Sequence, residues 1–332
     1  MGEVVIARTA RGRPAEAPIF YGLRGGVGRT VLLKELQRQA DRAGGWVTVE
    51  VEGKQDKGGE QLLARQRLAR GLMSSIRSVS PPSGWTVAWR RALGAVRSFS
   101  IGLGGVAGVN LGVDIEPSPG VADSGGDATI DVEELVRSLA PALDETGGIG
   151  LGVFVDEIQD LDAATLSALI SVRHRASQNG WPFQLYGAGL PNVPGRLAEV
   201  RSYAERFTYV RIGELIDADA RAALAEPARE EGVEFEEPAL QRLVDVADGY
   251  PYFIQIFGDQ AWKTAAGPDR ITLADAEVAI ANGTALLDES LFHSRWDRVT
   301  PAQKELMRAM AQDRGPSQVS ELVVRLGKRR PQ

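Results

Sequence analysis

Two short strings carry residues whose types and spacing suit phosphate chemistry. The first is Gly22-Leu23-Arg24-Gly25-Gly26-Val27-Gly28-Arg29-Thr30, followed at once by Val31 and a helical pattern. A glycine-rich turn that opens a helix aims main-chain N–H groups at an anion. A cation after the last glycine reaches the outer phosphates, and the next hydroxyl holds magnesium. Gly22, Gly25, Gly26, Val27, Gly28, Arg29, Thr30 and Val31 are therefore the candidate nucleotide-binding residues. The match to G-x-x-x-x-G-K-[ST] fails twice: Arg29 stands where lysine is usual, and Gly22 comes one residue too early. The lengthened loop must bulge, and Gly25-Gly26 is the pair best able to do so. Arginine keeps the charge, but its planar fork does not imitate a lysine point charge, so binding should survive better than hydrolysis.

The second string, Gly152-Val153-Phe154-Val155-Asp156-Glu157, is an apolar strand that ends in two carboxylates. Such a strand end suits phosphate chemistry that needs one carboxylate to hold the water shell of magnesium and another to polarise the attacking water. Two carboxylates can also simply cap a strand. Finding both strings in this order, each at the C-terminal end of a predicted parallel strand, favours the site, because ligands bind at that edge of open α/β sheets. Composition narrows the chemistry further. With no cysteine and only His174 and His293, the 332-residue chain has no thiolate nucleophile, no disulfide and no multi-histidine metal centre.

The elements that must position these residues can be read from periodicity. Residues 18–21 form a short apolar run, the helix after Thr30 has Val31, Leu32, Leu33, Leu36 and Ala40 on one face, and 46–51 reads as the next strand. Strand, glycine loop, helix and strand make a βαβ unit that feeds a parallel sheet. Helices are expected over 60–76 and 85–96, a β-hairpin over 98–115, a loop over 116–127 and a helix over 131–143. Buried strands follow at 150–155 and 183–188, with a helix at 161–177 between them. After Val210 the pattern is helical only, over 217–231, 238–247, 252–264, 273–288 and 301–312, with Asp217 and Thr300 as expected N-caps. The hairpin is either a partner-binding ribbon or an added edge of the sheet.

Net charge is −6, which argues against a protein that coats nucleic acid along its whole surface. Residues 291–332 nevertheless carry nine basic and four acidic side chains, a basic end that is either solvated or in weak contact with DNA. No apolar run is long enough to span a membrane and the first residues lack the apolar core of a signal peptide, so the expectation is a cytoplasmic protein without a membrane partner.

Taken in order, FYGLRGGVGRTVLLKEL, VFVDEIQDL, YGAGLPNV, SYAERF and GYPYFIQ resemble the AAA+/STAND class of P-loop ATPases, in the branch similar to origin-recognition and replication-initiation ATPases. The resemblance implies an α/β P-loop NTPase core with a RecA-like parallel sheet over 1–213, a helical lid over 214–290, and an incomplete winged-helix region over 291–332. It implies ATP or ADP with Mg2+ as ligands. Phosphates would lie over Gly25, Gly28 and Arg29, magnesium on Thr30 and Asp156, and Glu157 would act as the catalytic carboxylate. Gly249-Tyr250-Pro251 resembles the turn by which such lids approach the base, although glycine and proline also stop and start helices. Arg206 stands where relatives carry a phosphate-sensing or subunit-bridging arginine, or it forms a surface salt bridge.

Departures from that family are equally legible. The strand over 183–188 should end in a polar sensor but reads Gly187-Ala188-Gly189-Leu190, with Asn192 as a weak substitute. The element that helps to hold adenine ahead of the loop is missing, and the chain stops before a recognition helix or wing. The functional expectation is a slow Mg-ATP-driven conformational switch. Its alternatives are a catalytically degenerate nucleotide-binding scaffold that works through protein partners or self-association, and a DNA-binding initiator-like or regulatory protein.

Overall fold

The computed structural model describes residues 17–22, 26–43, 46–53, 68, 71, 132–133, 136–137, 150–267 and 269–327. Gly25, the hairpin at 98–115, the loop at 116–127 and the helix at 85–96 lie outside them. Of the helices expected over 60–76 and 131–143, Leu68, Gly71, Val132, Glu133, Val136 and Arg137 are described, and all six are helical. The chain forms two compact units, Met1–Gly213 and Glu214–Gln332.

Five strands make the sheet of the first unit: β1 (Pro18–Gly22), β2 (Trp46–Glu52), β3 (Gly150–Asp156), β4 (Phe183–Gly189) and β5 (Thr208–Ile212). All pair in parallel, in the order β2-β3-β4-β1-β5, as expected for a P-loop core. β3 and β4 are central and buried on both faces, which is why they read as unbroken apolar runs. β5 escapes a sequence reading because TYVRI is a half-exposed edge strand with little apolar signal.

Helices cover both faces. On one, Leu33, Leu36 and Ala40 of α1 (Arg29–Ala43) pack on Phe20, Trp46, Phe154 and Tyr186. The rings of Phe154 and Tyr186 stack at 4.5 Å between centroids. Gly150 and Gly152 make room for the Trp46 indole, since a Cβ on either would lie about as close as 2.9 Å to an aromatic ring. The opposite face of the sheet carries Ile19, Val49, Val153, Val155 and Leu185, against Leu166, Leu169 and Val172 of α2 (Ala163–Asn179) and Val193 and Leu197 of α3 (Val193–Val200). Each of these fully buried side chains contributes on the order of 1.5–3 kcal/mol.

The second unit is helical: α4 (Asp217–Glu230), α5 (Glu237–Ala247), α6 (Pro251–Thr264), α7 (Leu273–Leu287), α8 (His293–Arg298), α9 (Pro301–Met310) and α10 (Val319–Arg325). Two additional two-residue strands, β6 (Glu234–Phe235) and β7 (Arg270–Ile271), pair in parallel between the helices. Leu224, Leu240, Leu243, Ile254, Phe257, Ala276 and Ala279 form its core. Thr300 caps α9 through a box with Gln303, with Pro301 at the first helical position. Asp217 does not cap α4; Ile216 occupies that position and Asp217 is the first helical residue, where its charge still complements the helix dipole. No described helix is long and apolar enough to cross a membrane.

Candidate nucleotide site

β4 lies between β1 and β3, so the loop after β1 and the acidic end of β3 are two strand spacings apart, roughly 10 Å. α1 closes that gap by running across the sheet from the end of β1 over β4 and β3. Thr30, in its first turn, thereby donates its hydroxyl to Asp156 Oδ2 at 2.7 Å. The other oxygen of Asp156 accepts the Glu157 N–H at 2.9 Å, which fixes the carboxylate plane.

Of the loop leading into α1, Gly26, Val27 and Gly28 are described. Gly26 and Gly28 have φ of +84° and +86°, a region that side chains with a Cβ disfavour. No acidic residue lies in the first turn of α1, so no side chain of that turn neutralises the positive end of the helix dipole. Val27 is buried beneath the loop, whereas the Val31 side chain points outward, 62% exposed. Gly22 is constrained by packing instead: a Cβ there would meet the Ile212 carbonyl oxygen at 2.2 Å.

Arg29 is only 7% exposed. Its Nη2 approaches Glu157 Oε1 at 3.4 Å, longer than a tight charge-assisted bond, while its buried Nη1 has no hydrogen-bond partner among the described residues. A buried, half-satisfied guanidinium at a helix N-terminus is costly without an anion, and phosphate oxygens would satisfy it. The donors present therefore fit a nucleotide. Thr30 and Asp156 would contribute a hydroxyl and a carboxylate to magnesium, with phosphate oxygens and water completing six oxygen ligands. Among the described residues no group of three or more His, Cys, Asp or Glu could hold a metal unaided.

Glu157 sits in the left-handed region, with φ 47° and ψ 47°, an uncommon conformation for a residue with a side chain and one that recurs at functional sites. Gly53, just after β2, holds it there. The Gly53 N–H donates to the Asp156 carbonyl at 2.8 Å, and a Cβ at Gly53 would lie 2.1 Å from the Glu157 carbonyl oxygen. The second carboxylate oxygen, Oε2, accepts from Gln159 Nε2 at 2.7 Å. Gln159 lies within the string VFVDEIQDL, where its type alone assigns it no role. The signal was an amide two residues beyond the carboxylate, in a stretch otherwise apolar or acidic.

Arg206 is not brought to this site. It precedes β5, whose first residue pairs with Pro18 at the start of β1, so it lies at the N-terminal edge of the sheet. There Arg206 Nη1 is 3.5 Å from Nδ1 of His174, whose ring stacks on Tyr203 at 4.4 Å. Burial and then the charges of Arg206, Arg173 and Arg175 push the His174 pKa below its usual value. This placement, at the opposite edge of the sheet from Thr30 and Asp156, separates Arg206 from the candidate phosphate-binding residues of its own chain. Asn192 is exposed at the start of α3 and makes no side-chain cap. Pro251 belongs to the second unit, where it opens α6. Gly249, with φ +67°, accepts the Leu215 N–H at its carbonyl, at 2.8 Å.

The solved structure of a Walker-type ATPase from Pyrococcus abyssi superimposes on 98% of this chain and 82% of its own, with a TM-score of 0.58 and 16% identity. The fold is that of a P-loop ATPase of the AAA+ type. Thermotoga maritima RuvB, a Holliday junction branch migration motor, aligns with a TM-score of 0.49 at 16% identity, over 99% of this chain and 80% of its own. Aeropyrum pernix Orc1, solved in complex with DNA, aligns at 0.46 and 14%, over 98% and 74%. A family described as a domain of unknown function (DUF8462) matches residues 289–332. No curated protein matches the chain.

Proposed function

We propose that the chain binds ATP with magnesium on the β1–α1 loop and hydrolyses it slowly, as a conformational switch. The observation that carries this reading is the Thr30–Asp156 hydrogen bond at 2.7 Å, which joins two separate sequence strings across an intervening strand. Bound magnesium supplies neutralisation of phosphate charge. The chain's own residues do the rest: N–H groups of the loop orient the phosphates, Arg29 turns its free Nη1 toward them, and Glu157 accepts a proton from a water in line with the terminal phosphate. Arg206 serves a neighbouring copy in this reading.

Slow turnover follows from Arg29. Its guanidinium is engaged with the very carboxylate that must accept the proton, and its planar fork is a poor substitute for a lysine between outer phosphates. The same ion pair favours the second reading, a scaffold that binds nucleotide without hydrolysing it and acts through protein partners. Isothermal titration with ATP and ADP in magnesium, alongside phosphate release, separates the two. Binding that is lost in Arg29→Ala places phosphate on the loop. Turnover that falls by about 100-fold or more in Glu157→Gln, with binding intact, assigns the base. Turnover unchanged in Glu157→Gln sinks the mechanism, and binding with no turnover in the wild type selects the scaffold.

A cytoplasmic location, the winged-helix character of α9 and α10 and a weak DNA contact through the basic end complete the proposal. Fluorescence anisotropy with duplex DNA at low salt, with and without ATP, tests the last; a flat titration removes it.

A further inference from the structure

Gln159 is 7% exposed and uses both ends of its side-chain amide. Nε2 donates to Glu157 Oε2 at 2.7 Å and to Asp160 Oδ2 at 3.2 Å, and Oε1 accepts the Leu190 N–H at 3.1 Å. Only this orientation of the amide works. Turned over, it would set an oxygen against two carboxylates and an NH2 against an N–H donor. The main chain is shaped for it as well: a Cβ on Gly189 would lie 2.2 Å from Gln159 Oε1, so glycine at the end of β4 is what lets the amide through.

The consequence falls on Glu157. Its two oxygens have different holders, Arg29 on Oε1 at 3.4 Å and Gln159 on Oε2 at 2.7 Å. When Arg29 turns to phosphate, Oε1 is released toward the phosphate side while Oε2 stays anchored. A carboxylate fixed through one oxygen and free at the other is what a proton acceptor of defined direction requires.

Resting on the hydrolytic reading above, we propose that Gln159 is the positioning residue for Glu157. It ties the carboxylate to the end of β4 and supplies, from the short helical turn after β3, a polar group beside the apolar strand end Gly187-Ala188-Gly189.

Two variants test it. Gln159→Leu removes both bonds; Gln159→Glu keeps an oxygen for the Leu190 N–H but sets a carboxylate against Glu157. Both should lose roughly 10- to 100-fold in kcat while the ATP dissociation constant from titration moves less than about threefold. Amide exchange at Leu190 should quicken in Gln159→Leu and stay slow in Gln159→Glu, which separates positioning from mere support of the strand end. In the nucleotide-free wild type, the Gln159 side-chain NH2 resonances should move on Glu157→Ala. Gln159→Glu with turnover within twofold of wild type overturns the proposal, as do NH2 resonances that ignore Glu157→Ala. If the wild type shows no turnover, the hydrolytic reading falls, and the resonances alone decide whether Gln159 holds the carboxylate.

Discussion

The two edges of the parallel sheet treat arginine in opposite ways. At the C-terminal edge Arg29 is buried, faces a carboxylate, and keeps one nitrogen without a partner. At the N-terminal edge Arg206 faces an imidazole among Arg173 and Arg175, and Tyr203 covers that ring. The first arrangement concentrates unsatisfied positive potential where main-chain N–H groups of α1 also point. The second sets cations around a histidine whose pKa is depressed first by burial and then by their charges. On the proposed function, strand polarity decides which edge binds the ligand, and cation count does not.

The sharpest way to break this comparison is to remove one residue from each edge. Thr30→Ala takes away the hydroxyl that meets Asp156, and should weaken nucleotide binding in magnesium by about tenfold or more with little effect in EDTA. Arg206→Ala should leave binding by the same chain within twofold. Equal losses in titration calorimetry would mean that the edges are not distinct. A smaller effect is expected between them: Gly189→Ala must push the Gln159 amide or the Val193 side chain, which a new Cβ would meet at 2.2 and 2.6 Å. Overpacking of this kind costs about 1–3 kcal/mol, visible as a lowered midpoint in thermal denaturation.

The smallest effect concerns pH. His174 has a folded-state pKa depressed first by burial and then by Arg206. A depressed histidine keeps its neutral form in the folded state, so its contribution is present above the ordinary histidine pKa and is lost as pH falls below it toward the folded value. NMR titration should show His174 below its usual range in the wild type and closer to it in Arg206→Ala. An unmoved midpoint would separate the two groups.

How far the site was legible depended on where the information lay. Thr30, Asp156 and Glu157 could be found because the chemistry fixes their types and because β1 and β3 are short apolar runs with a clear end. Helices with strong periodicity, such as those opening at Arg29 and Glu237, were visible for the same reason. What escaped was decided by long-range contact. Nothing local to TYVRI says that it pairs with β1, and without β5 the edge on which Arg206 falls is unknowable. Gln159 meets Leu190 across 31 positions of chain, and Gly53 meets Glu157 across more than 100, so neither could be assigned from a window. Asp217 was read as a cap because its type suits one, yet the helix begins one residue sooner in space than its chemistry suggests.

The ion pair between Arg29 and Glu157 has a thermodynamic reading of its own. On the proposed function, the carboxylate is a competitor tethered inside the protein, bidding for the same guanidinium as the incoming phosphate. Linkage then makes the two events reciprocal: a change that tightens the pair loosens nucleotide, and bound nucleotide weakens the pair by the same coupling factor by which the pair weakens nucleotide. The proton acceptor is thus unmasked by the arrival of the molecule on which it acts, and stays neutralised when the loop is empty.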